Sequence, residues 1–215
     1  MDIQLLAIKR SLFVAGLTGV SASCLVGCMW DRNFDLSWRE EVQLHDGRII
    51  VVSLKRSYER LGTSFTRYGG RIIQRDTTLT FNAGGNVGIV TQLFKGFSPL
   101  FIGQYDEEWY SVLYGGYYRN SQMLPGQDWG ALEGPMGQWA VKLVSKRWTP
   151  ISMADLPAVF QVPNMMVLYG AVAEHAEFNE RLVSLADKKA WLEKHLPSQP
   201  HTQLFRPSAA SPKRQ

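Results

Sequence analysis

Side chains suited to covalent or acid–base chemistry are sparse in this chain of 215 residues. The two cysteines, Cys24 and Cys28, stand near the amino terminus, and no thiol follows them. The four histidines, His45, His175, His195 and His201, have spacings that form no metal-ligand pair with one another. Glu174-His175-Ala176-Glu177 offers two ligand types, His45 adjoins Asp46, and Asp106-Glu107-Glu108 crowds three carboxylates together. Each has a simpler reading, as a solvated edge, a turn aspartate and a charged hairpin tip respectively. No Gly-x-Ser-x-Gly elbow, His-Glu-x-x-His pair or phosphate loop ending in Gly-Lys-Ser or Gly-Lys-Thr occurs. Gly84-Gly85-Asn86-Val87-Gly88 lacks the spacing of a dinucleotide loop and lies between strand-like segments, so it reads as a turn. The expectation is therefore no catalytic residue, no metal and no cofactor.

Two groups of residues are suited to binding. Residues 48–75 contain Arg48, Lys55, Arg56, Arg60, Arg67, Arg71 and Arg75 against the single acid Glu59. They read either as solvated strand and loop cations or as an anion or partner face, carried by Arg56, Arg60, Arg67 and Arg71. The aromatic residues Tyr105, Trp109, Tyr110, Tyr114, Tyr117, Tyr118, Trp129, Trp139 and Trp148 read as β-core residues. Tyr117, Tyr118 and Trp129, which fall in or beside an irregular stretch, are the candidates for stacking on a glycan.

The net charge of +4 does not imply a nucleic-acid partner. Lys9 and Arg10 precede residue 28, and Arg206, Lys213 and Arg214 lie in the last ten residues, while the stretch between is balanced in sign. Lys9 and Arg10 are followed by the uncharged run Ser11 to Gly27, which has the charge order of a secretory signal and is short for a membrane span. Leu25-Val26-Gly27-Cys28, at the end of that run, resembles the lipobox of bacterial lipoproteins. The resemblance implies cleavage before Cys28 and a diacylglycerol on its sulfur. Met29 stands where the family's inner-membrane retention signal places Asp, which implies sorting to the periplasmic face of the outer membrane. Ser21-Ala22-Ser23-Cys24 is a poorer match, since Ser21 replaces the usual Leu. The other reading of residues 1–27 is an uncleaved anchor helix.

Behind that address, hydrophobic alternation and turn residues predict four hairpins. Trp38 to His45 alternates, meets Asp46-Gly47 and continues through Arg48 to Leu54, the strongest short-range hairpin signal. Arg71 to Phe81 pairs with Val87 to Phe94 across Asn82 to Asn86, and Pro99 to Gly103 pairs with Trp109 to Tyr114 across Tyr105 to Glu108. Gln138 to Val144 pairs with a short strand at Arg147 to Pro150 across Ser145-Lys146. Residues 117–137 read as an irregular connection, and residues 165–183 are ambiguous between strand and helix. Ser184 to His195 reads as a capped helix ending before Pro197.

The expected fold is mainly β, with antiparallel hairpins forming a sandwich, barrel or propeller-like assembly, a C-terminal helix and a disordered tail. The expected organisation is a signal peptide over 1–27, a tether over 28–37, a β-rich domain over 38–195 and a disordered basic tail over 196–215. Trp30 and Phe34 in the tether are read as interfacial anchors or as packed on the domain. Trp38 to Gly47, Pro99 to Tyr110, Gly137 to Ala140 with Leu156 to Phe160, and Asn164 resemble stretches of a group of uncharacterised proteobacterial proteins built from similar hairpins. The resemblance carries no activity with it. The functional expectation is a membrane-anchored envelope module without catalysis, its partner an envelope protein or anionic envelope component. Its alternatives are an enzyme of envelope polymers using Asp106, Glu107 or Glu133, and a glycan or peptidoglycan binder.

Overall fold

The computed structural model describes residues 32–61, 71–115, 137–166, 177–195 and 204. Among these residues nine strands form two sheets: β1 (Asn33–Gln43), β2 (Ile49–Leu61), β3 (Arg71–Asn82), β4 (Ile89–Lys95), β5 (Phe97–Tyr105), β6 (Glu108–Gly115), β7 (Gln138–Val144), β8 (Arg147–Ile151) and β9 (Leu182–Val183). Sheet A has the order β4-β3-β2-β1-β9 and sheet B the order β5-β6-β7-β8. All neighbouring pairs are antiparallel except β1 with β9. The fold is thus mainly β, as the alternation predicts, and the two packed sheets select the sandwich from the predicted alternatives.

All four hairpins close at the predicted turns. Gly47 takes a φ of 86°, and the Asp46 carboxylate accepts from Arg48 N at 3.0 Å. Asp106-Glu107 and Ser145-Lys146 have φ between 49° and 64° at both central positions. Such two-residue loops match the right-handed twist of the strands they join. The helix α1 (Leu185–His195) starts at a reciprocal cap, where Ser184 N donates to the Asp187 carboxylate at 2.9 Å and Asp187 N donates to Ser184 Oγ at 3.1 Å.

The two sheets share a core because each strand turns alternate residues inward. Trp38, Val42, Val52, Leu54, Leu79, Phe81, Val90 and Phe94 of sheet A meet Ile102, Trp109, Leu113, Trp139, Val141 and Trp148 of sheet B. Trp148 lies 6.2 Å from Phe81 and 6.4 Å from Phe94, and Trp109 donates to Ala83 O at 3.1 Å. Sheet B is also covered on its other face, where Phe101, Tyr110, Val112 and Ala140 pack under Met153, Leu156, Phe160 and Leu204. Gly103 has hydrogen in place of a side chain because the Phe101 and Phe160 rings occupy that space, 2.5 and 2.8 Å from where a Cβ would stand.

The chain changes sheets at Gly96, whose φ of 74° turns β4 into β5. Its N–H donates to the carbonyl of Arg75, the extra residue of a β-bulge in β3, at 2.7 Å. From there β5 runs diagonally. Its start is tied to β3 by Gln74 Nε2 donating to Ser98 Oγ, and Gln104 near its end accepts from Arg48 at the β1–β2 turn at 2.8 Å.

That diagonal brings the edge of β5 beside the edge of β1, and residues 164–166 seal the seam. Asn164 Nδ2 donates to Ile102 O at 2.7 Å and to Gln43 O at 3.0 Å, while its Oδ1 accepts from Ile102 N at 3.0 Å. Met165 N donates to Leu100 O at 3.1 Å. One amide side chain thus stands in for a paired strand on β5 and reaches across to sheet A.

Three boundaries differ from the sequence reading. Residues 33–37 of the expected tether belong to β1, and Phe34 stacks on Tyr58 with ring centroids 5.2 Å apart. Cross-strand pairing with β2 starts at Asn33↔Glu59, which draws these residues into the sheet. In the ambiguous stretch 165–183, residues 182–183 form the short strand β9. In the tail expected to be disordered, Leu204 is buried, and its N–H donates to Gln161 O at 2.9 Å. A single leucine held on the apolar outer face of sheet B accounts for this. Asn164→Ala should lower unfolding stability by about 3 kcal/mol, because it strips partners from three backbone groups at once, as read from urea denaturation.

Candidate functional site

Charged residues enter the sandwich where the β alternation requires apolar ones. Glu40 shares the inward face of β1 with Trp38 and Val42, and Arg56 shares that of β2 with Leu54 and Tyr58; they are 0% and 1% exposed. The Glu40 carboxylate accepts from Trp38 Nε1 at 3.0 Å and from Met166 N at 3.0 Å. Lys188 of α1 lies 4.0 Å from it and donates to Asn164 O at 2.8 Å. The Arg56 guanidinium lies 5.1 Å from the centroid of the Trp38 ring, and its Nη2 makes a long 3.5 Å contact with Met166 O. Burial raises the pKa of the Tyr58 phenol, with neighbouring Arg56 pulling the other way. This cluster joins β1, β2, α1 and the seam residues, and its geometry is that of a structural fastening.

The basic run of residues 48–75 is therefore divided rather than gathered on one face. Arg56 points into the core and offers nothing to solvent, because the period of two places it on the same side as Leu54. Arg60 is half-buried, its guanidinium 4.3 Å from the centroid of the Phe34 ring. Glu59, the single acid of the run, is clamped between Arg32, at 2.6 Å, and Arg75. Arg67 lies outside the described residues, as does the side chain of Arg71.

The remaining sequence candidates separate in the same way. Cys28, Tyr117, Tyr118, Trp129, Glu133 and His175 lie outside the described residues. Asp106 and Glu107 are exposed at a hairpin tip, while Glu108 accepts from Tyr110 at 2.8 Å and pairs with Lys142 at 2.7 Å. The Lys142 hydrogen bond is the main reason the Glu108 pKa is lowered. His45 packs against Phe160, with centroids 5.4 Å apart, and Asp46 is held by Arg48 at 2.6 Å. Trp109, Tyr110, Trp139 and Trp148 are buried, so these four aromatics serve the core.

The chain matches no known protein family, no curated protein and no solved structure. The geometry of the surface is then the remaining guide to a site. On the outer face of sheet A, a hollow of about 290 Å³ is lined by Ser37, Arg39, Ser53, Lys55, Thr78, Thr80 and Glu180, with the backbones of Trp38 and Leu54 at its floor. It forms because the small residues Ser53 and Thr80 are cross-strand partners, leaving room between longer neighbours. Its hydroxyls and the cations Arg39 and Lys55 can donate hydrogen bonds to an oxygen-rich group, with Lys55 also paired to Asp35 at 2.7 Å and Glu180 adding a carboxylate to the lining. Sequence reasoning missed this hollow, although the outward positions Ser53, Lys55, Thr78 and Thr80 were readable as polar alternates.

Glu40, Lys188 and Asn164 were also missed as a connected group. The signal for Glu40 was its place between Trp38 and Val42 on a period-two face. Burial lowers the Lys188 pKa below its ordinary 10.5, with Glu40 and Glu41 opposing the shift. The folded state therefore binds that proton less tightly than the unfolded chain, and the contribution of Lys188 to stability rises as pH climbs from the lowered value towards 10.5. Denaturation midpoints across this alkaline range should rise less in Lys188→Met than in the parent; identical slopes would remove Lys188 as their source. Glu40→Ala should cost about 3–5 kcal/mol, because it deprives the buried donors Trp38 Nε1 and Met166 N of their acceptor and Lys188 of its counter-charge.

Proposed function

We propose that this chain is an envelope lipoprotein anchored through Cys28, with a non-catalytic domain that binds or assembles with another envelope component. The observation that carries this reading is Leu25-Val26-Gly27-Cys28 at the end of an uncharged run, set just ahead of a strand that begins at Asn33. Five residues of fully extended chain span at most about 18 Å. A lipid on Cys28 would therefore keep the Asn33 end of sheet A near the bilayer surface. Arg32 and Lys95 are exposed at that end, and cations there are attracted to anionic head groups.

The binding role is supported by how the buried charges are used. Glu40, Glu59, Arg56 and Lys188 hold strands and the seam together, and the outer hollow presents hydroxyls and cations suited to contact. Acylation of Cys28 would leave no thiol in the mature chain, since Cys24 lies in the part removed. Met29 after that cysteine favours the periplasmic face of the outer membrane. Growth with a fatty-acid analogue should label the parent chain and leave Cys28→Ala unlabelled. Equal labelling of the two would refute the anchor.

A further inference from the structure

We propose that β4 is an interaction edge through which two copies of this chain join antiparallel, continuing sheet A across a two-fold axis. A free strand edge offers a row of unpaired backbone groups, and folded proteins usually blunt it with charge, proline, short length or a cover. The other edges of this sandwich carry such devices. On β1, Ser37 O accepts from Glu180 N at 2.6 Å, Arg39 N donates to Arg181 O at 2.9 Å, and β9 follows. The β5 edge is occupied at Ile102 by Asn164 and at Leu100 by Met165. In β8 the strand is five residues long and carries Pro150.

The seven residues of β4, Ile-Val-Thr-Gln-Leu-Phe-Lys, contain no proline and no charge before Lys95. Among the described residues the strand pairs only with β3. Ile89 is 72% exposed and Leu93 44%.

The register of β4 on β3 fixes what this edge presents. Ala83 N donates to Gly88 O at 2.9 Å, so the bonds of Val90, Gln92 and Phe94 also point towards β3. Those of Ile89, Thr91, Leu93 and Lys95 point outward. A second β4 laid antiparallel with Thr91 opposite Thr91 aligns these outward groups as hydrogen-bonded pairs. It sets Ile89 against Leu93 twice, Thr91 against its own copy, and Lys95 against Val87. The apolar and threonine pairs are favourable across strands, and no like charges oppose each other. Shifting the register so that Gln92 faces Gln92 would instead oppose Ile89 with Lys95 and Thr91 with Leu93. Among the described residues, a local cap on this edge is Gln92 Nε2 donating to Leu93 O at 2.8 Å, a bond that strand pairing would replace. The contact is isologous, so it closes at two copies rather than growing into a fibre.

Sedimentation of the purified full chain should show a dimer, and Thr91→Pro should sediment as a monomer that still melts in a single cooperative transition, at a temperature that no longer depends on protein concentration. The substituted N–H is an outward one, so the backbone bonds to β3 are kept and only the exposed hydroxyl contact between Thr91 and Thr80, 3.0 Å long, is lost. Independently, residues in a hydrogen-bonded antiparallel pair lie within disulfide range. Oxidised Thr91→Cys should form covalent dimers in excess of both the parent and Lys95→Cys. A parent chain that stays monomeric, or equal crosslinking at positions 91 and 95, would overturn the proposal. The lipid anchor is not required for this pairing, so either idea can fail without the other.

Discussion

The fold depends on one seam. Two sheets joined through Gly96 would be left with the β1 and β5 edges side by side, each carrying unpaired backbone groups at the border of the core. Asn164 satisfies Ile102 on both its N–H and its C=O and also reaches Gln43, so a single side chain bridges the layers. Its neighbour Met166 then delivers a backbone N–H to the buried Glu40 carboxylate, and Lys188 closes the circuit onto Asn164 O. A buried carboxylate is costly unless its oxygens are hydrogen-bonded or paired. Here those partners come from the strand, the seam and the helix together, which makes the ordering of each depend on the others.

This coupling shapes what the surface can do. Among the described residues, with β1 and β5 sealed and the outer face of sheet B covered by Met153, Leu156 and Phe160, the outer face of sheet A, its hollow and the β4 edge stay open. Contact through a pre-ordered sheet requires little rearrangement of the backbone on binding.

The hairpins were legible because their causes are local. Asp46-Gly47, Gly84-Gly85 and the two-residue loops sit within a few positions of the alternating runs they join. The seam was not legible because its bonds link residues 62 and 121 positions apart. No local pattern distinguishes Asn164 from an ordinary loop asparagine. Arg56 was misplaced for a different reason: charge was weighed along the chain, whereas the period of two from Val52 and Leu54 puts that residue inside. Sheet B likewise hides its double cover, since the near-continuous burial of β5 follows from Phe160 and Leu204, which are distant in sequence.

The seam is part of the cooperative core and not a loop resting on it. Amide hydrogen exchange of the native protein measures this directly. The Ile102 and Met166 amides, held by Asn164 and Glu40, should exchange only through global unfolding, with the same opening free energy as Val52 and Val112 in the sheet interiors. Exchange of those two amides through a low-energy local opening, while Val52 and Val112 stay protected, would contradict it.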